Sequence, residues 1–81
     1  MMVHSQTRQT LMSIAEEALQ LGPGYAQEGF VLAEAAKKLG VRQNLSAEQD
    51  ILTEWQNLFR EGNLAWGYNL DNPSAPFFHK P

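Results

Sequence analysis

The sequence predicts an α+β domain in which three helices pack on a small antiparallel β-hairpin, and three observations lead there. Ile51, Leu52, Trp55, Leu58 and Phe59 recur at the spacing of one α-helical stripe. Directly afterwards Leu64, Trp66, Tyr68 and Leu70 alternate with Ala65, Gly67 and Asn69, so the helical period gives way to the two-residue period of a strand. Gly62 and Asn63 supply a stop between them, and Asn72-Pro73-Ser74-Ala75-Pro76 supplies a turn from which Phe77 and Phe78 begin a returning strand. A helix followed at once by a two-stranded hairpin is the closing part of a winged helix-turn-helix.

A chain of 81 residues builds one small domain around one core. At 43% apolar and 19% charged, its composition is that of a folded protein rather than a disordered one. There is no cysteine, so packing alone must hold the fold. The net charge of −3 and a pI near 5.2 argue against strong non-specific attraction to nucleic acid or to an anionic membrane. No apolar run approaches the roughly 20 residues that span a bilayer. The opening Met1-Met2-Val3-His4-Ser5-Gln6 lacks the basic and apolar regions of a secretory signal. A cytoplasmic location and no membrane partner are therefore expected.

In chain order, residues 1–6 read as a disordered N-terminus, and the domain occupies 7–81. A first helix over about 7–21 places Leu11, Ile14, Ala15, Ala18 and Leu19 on one face, with Ser5 or Thr7 as its cap and Gly22-Pro23-Gly24 as its end. Tyr25 to Gly29 reads as a connector, with at most a single β-bridge near Phe30. A second helix over about 31–39 turns Leu32, Ala35, Ala36 and Leu39 inward. Gly40 stands where a left-handed residue closes a helix, and Val41 follows as its hydrophobic contact. A third helix runs over about 47–61, with Ser46 and Gln49 in the form of a capping box, and the hairpin covers about 64–79. Trp55, mid-stripe, is expected at the centre of the core.

The segment from Trp55 to His79 resembles a winged-helix-like domain family of uncharacterised bacterial proteins. Trp66, Gly67, Asn69, Leu70, Asn72, Pro73, Pro76, Phe77, Phe78 and His79 match its W-G-x-N-L-x-N-P-x-x-P-F-F-H wing motif. The resemblance implies a fold rather than an activity.

Two uses of such a fold compete. In DNA recognition the second helix of a helix-turn-helix enters the major groove and the wing touches the backbone. Arg42, Gln43, Asn44, Ser46 and Gln49 are the candidate readers, with Lys37 and Lys38 as phosphate contacts. Against this, Glu48, Asp50, Glu54 and Glu61 give the third helix an acidic outward face that repels phosphate. The other use is contact with a protein partner or a second copy. Adjacent aromatics in a strand face opposite sides, so Phe77 and Phe78 cannot both enter one core. Whichever stays outside, together with Tyr68, is the candidate protein interface.

Asn69, Asp71 and Asn72 lack the spacing and closing glutamate of a calcium loop, and turn capping is the expected role of their oxygens. His79 is expected to pair across the hairpin or with Trp66. There is no cysteine nucleophile, no Ser-His-acid set in recognisable context and no phosphate-binding glycine loop. No catalysis, cofactor, metal or small-molecule substrate is therefore expected.

Overall fold

The computed structural model describes the backbone of residues 3–81 and the side chains from residue 6 onward. The chain forms α1 (Val3–Leu21), β1 (Tyr25–Gln27), α2 (Glu28–Leu39), α3 (Leu45–Arg60), β2 (Ala65–Trp66) and β3 (Phe77–His79). The three strands make an antiparallel sheet in the order β1-β3-β2. This is an α+β, winged-helix-like arrangement, with the wing spanning the loop from β2 to β3.

Each helix end has a local cause. After α2, Gly40 takes φ 68°, where a side chain would crowd the carbonyl. This lets Gly40 N bond Lys37 O at 3.2 Å and Val41 N bond Ala36 O at 3.1 Å, a Schellman closure that carries Val41 onto the core. The same pair of bonds closes α3, from Gly62 N to Phe59 O and from Asn63 N to Leu58 O. The cap of α3, however, is Asn44 and not Ser46. Asn44 Oδ1 accepts from Ala47 N at 3.1 Å, and Glu48 Oε2 accepts from Gln43 N at 3.0 Å. The expected Ser46–Gln49 capping box is replaced by this reciprocal pair, because Gln43 turns left-handed at φ 68° and starts the helix at Leu45.

The core joins Leu11, Ile14, Ala15 and Leu19 of α1 to Val31, Ala35 and Ala36 of α2. Ile51, Trp55 and Leu58 of α3 complete it with Leu64 and Phe78. Trp55 lies at its centre, edge-on to Phe59 at 5.0 Å, to Phe78 at 5.1 Å and to Trp66 at 6.5 Å between ring centroids. Its Nε1 donates to Glu28 Oε1 at 2.9 Å, so the one polar atom of the ring is satisfied at the start of α2.

Several expectations are corrected. The helix α1 starts at Val3 rather than near residue 7; Met1 and Met2 lie outside the described residues. Thr7 is buried inside the helix and does not cap it, and the Ser5 side chain lies outside the described residues. Tyr25–Gln27 is a strand rather than a connector, paired residue by residue with Phe77–His79. The expected strand from Leu64 to Leu70 is only two residues long. Gly67 interrupts it at φ 90°, and a Cβ there would lie 2.5 Å from the Pro73 carbonyl carbon. The interruption puts Trp66 and Tyr68 on opposite faces of the sheet. Trp66 stacks on Phe59 at 3.7 Å, and Tyr68 stacks on Tyr25 at 3.9 Å.

On α3 the stripe is rotated from its expected position. Phe59 is covered by Trp66, whereas Leu52, two turns earlier, borders an open groove and is 43% exposed. Glu54, expected on the outward face, is buried against α1. Arg8 explains it: its Nε lies 3.4 Å from Glu54 Oε1 while its Nη1 donates to Glu61 Oε1 at 2.7 Å. Glu54 and Glu61, two helical turns apart on one edge of α3, clamp a single guanidinium from α1.

Candidate interaction surface

Two surfaces hold the residues singled out from sequence. The first is the turn from α2 into α3. Lys37, Lys38, Arg42, Gln43, Asn44, Ser46 and Gln49 are all exposed there. They do not act as one set. Lys38 borders a cleft with Gln9, Thr10 and Ser13 of α1, on the side away from α3. The Asn44 side chain is committed to its cap. Arg42 stands between α2 and α3, Lys37, Ser46 and Gln49 are exposed, and Lys37 and Arg42 have no ion-pair partner among the described residues.

The acidic face of α3 keeps most of its charge in three dimensions, because one guanidinium serves two carboxylates and a backbone N–H leaves Glu48 anionic. Of the four acids on α3 and its end, Glu48 caps the Gln43 N–H, and Glu54 and Glu61 hold Arg8. Arg8's hydrogen bond holds the Glu61 carboxyl below its ordinary value, and the Arg8 guanidinium is raised for the same reason. Asp50 is left exposed.

Between α2 and α3 lies an open groove of about 250 Å³, floored by Leu32, Ala33, Ala36, Ile51 and Leu52 with Arg42 and Glu48 beside it. Leu45 on the first turn of α3 is 69% exposed, and Phe30 on the first turn of α2 is 57% exposed. Sequence reasoning missed this groove. The local sequence held no signal for it, because Leu52 falls on the apolar stripe of α3 and spacing alone assigns it to the core.

The second surface is the wing. Phe78 is fully buried at 0% exposure, so its assignment to a protein interface is wrong. It pairs with Ala26 on one side and Trp66 on the other, and all three face the helices. Phe77 takes the opposite face, as strand alternation requires. There it meets Tyr68 edge-on at 4.7 Å and Tyr25 at 6.1 Å, a half-buried aromatic cluster outside the sheet. Tyr25 was missed because its partners lie at the other end of the chain.

At the wing tip Asn69 and Asn72 form an isolated bridge around Leu70 and Asp71. Asn69 Oδ1 accepts from Asp71 N, Asn72 N and Asn72 Nδ2, so its oxygen closes the turn. Tyr68 OH accepts from Asn72 Nδ2 at 3.1 Å and ties the turn to the aromatic cluster. Leu70 stands clear at 98% exposure. His79 Nδ1 donates across the hairpin to Gly67 O at 2.6 Å, the pairing expected of it. Among the described residues no helix is long and apolar enough to cross a membrane, and no group of three or more His, Cys, Asp or Glu stands where it could hold a metal ion.

No family model, curated protein or solved structure matches the chain.

Proposed function

We propose that this chain is a non-catalytic winged-helix adaptor that acts by binding protein through the face between α2 and α3. One observation carries the reading: Leu32, Ala33, Ala36, Ile51 and the exposed Leu52 line an apolar groove that the fold leaves open, and Phe30 and Leu45 are exposed on the first turns of the same two helices. Contiguous apolar surface of this kind marks sites of association, and paired helices with a groove between them are a common receptor for amphipathic segments. A cytoplasmic location and kinship with the bacterial winged-helix-like family belong to the same reading.

DNA recognition is the second reading, favoured by the exposed Lys37, Arg42, Ser46 and Gln49 around the turn into α3. Leu45 and Leu52 count against it, because they occupy the exposed face that would meet the bases. A fluorescence titration with random duplex DNA separates the two. The adaptor reading expects no saturable binding even at about 50 mM salt, where phosphate contacts are strong. Saturable binding that weakens with salt and is lost in Arg42→Glu replaces it with the nucleic-acid reading.

A further inference from the structure

The strands β1 and β2 each pair with β3 and not with one another. Between them is a slot with a ladder on either side and a place in the core that Phe78 fills at 0% exposure. Any strand carrying Phe77–His79 satisfies that slot, and what ties β3 to the slot of its own chain is the wing, the ten residues 67–76. The wing folds back through Gly67. Its φ is 90°, and a Cβ there would lie 2.5 Å from the Pro73 carbonyl carbon and 2.6 Å from the Pro73 Cα. Backbone cannot yield at that distance, so the closed wing admits only glycine at this position. The rest of the wing leans the other way. Pro73 and Pro76 each bias the residue before them, Asn72 and Ala75, toward extended backbone. Fully extended, ten residues reach about 33 Å. That exceeds the 23 and 19 Å of the molecule's two shorter dimensions, so two copies fit side by side on opened wings.

We propose that Gly67 decides between two forms of this protein: a closed monomer, and a strand-exchanged dimer in which each opened wing delivers β3 to the slot of a second copy. The proposal stands apart from the groove between α2 and α3 and does not depend on it. The exchanged dimer repeats the observed register in each slot, with Ala26 and Trp66 on either side of Phe78, and its two-fold symmetry closes it. The two forms therefore differ in the wing and in the freedom of the second copy. Closed, the wing presents β3 to its own slot at an effective concentration on the order of 1 mM, as short linkers do. Opening it gives up the turn bonds of Asn69 and Asn72. The monomer is accordingly the dominant form at micromolar concentration. A side chain at residue 67 penalises the closed wing alone, because an extended wing accepts any residue there.

The chain has no cysteine, so an introduced disulfide reports which slot β3 occupies. Ala65 and His79 are opposite one another in the ladder. In Ala65→Cys/His79→Cys, oxidised after folding, the bond lies within one chain in the monomer and joins two chains in the exchanged dimer. Non-reducing denaturing electrophoresis separates the two. With Gly67 intact, this full-length variant is expected to run as a monomer after refolding at about 100 µM, and covalent dimer should appear on refolding at about 1 mM, the effective concentration of the tether. Adding Gly67→Val should give covalent dimer already at the lower concentration, with an unchanged helical circular dichroism signal. The midpoint of exchange should fall about tenfold or more, the factor set by a strained left-handed residue. A Gly67→Val chain that folds with its disulfide inside one chain overturns the proposal. So does one that stays unfolded at every concentration. Dimers of the Gly67 chain at about 1 mM that carry only intrachain disulfides also overturn it, because they associate without exchange.

Discussion

Trp55 is the residue on which the most structure depends. It touches three aromatic rings and, through Nε1, the first residue of α2, so its removal opens a cavity and also breaks the hydrogen bond to the Glu28 carboxylate. Trp55→Ala is expected to cost ~3–5 kcal/mol. That is a large share of the stability available to a domain of this size, and urea denaturation followed by circular dichroism should show a chain largely unfolded without denaturant. At this scale the sequence was legible wherever a side chain's fate follows from periodicity, as with Trp55, Ile51 and Leu58. It was not legible where a distant partner decides. Nothing near Glu54 announces that Arg8 will cover it, and nothing near Phe78 says which of two adjacent phenylalanines turns inward.

At the scale of the element, the three helices could be read because their apolar spacing and glycine stops are local signals. The strand β1 could not, since three residues carry no measurable period and its hydrogen-bonding partner comes at the other end of the chain. The alternation from Leu64 to Leu70 is real in the sequence, yet the left-handed turn at Gly67 ends the strand. The cap of α3 supplies a sharp comparison. Asn44→Ala should cost about 1 kcal/mol because it orphans the Ala47 N–H. Ser46→Ala, at an exposed site with no cap to lose, should stay within about 0.5 kcal/mol of wild type. Equal effects in thermal melts would mean that the helix starts elsewhere.

The clamp between α1 and α3 also has a pH signature. The Glu61 carboxyl is depressed in the folded state, so its contribution is present above the ordinary value of 4.5 and is lost as pH falls through the lower folded value. Melting temperature should therefore fall on acidification below about 4.5. That part of the decline should be smaller in Glu61→Gln, and a Glu61→Gln profile parallel to wild type would remove the clamp from the account. Because the pair is solvent-exposed, the difference should also shrink with added salt.

For the whole molecule, the charged half of the candidate surface was legible and the apolar half was not. Lys37, Arg42, Ser46 and Gln49 announce themselves as polar residues around a turn, and all four are exposed. Leu52 reads as core by spacing but borders the open groove between α2 and α3, and Leu70 reads as part of a strand face that ends before it. What the fold leaves bare depends on the reach of its smallest layer, and no local pattern records that reach.

The strand β3 lies between β1 and β2, yet it is the last element along the chain. During synthesis from the N-terminus, α1, α2 and α3 can assemble before it arrives, but neither flanking strand has anything to pair with. Phe78 then enters the core and bridges both edges in one step, so the sheet has no half-built form. A version ending at Pro76 should keep its helical far-ultraviolet signal, lose its aromatic near-ultraviolet signal and bind a hydrophobic dye. Adding the missing segment as a separate peptide should restore the aromatic signal. The order of the sheet thus makes its completion an all-at-once event that waits for β3.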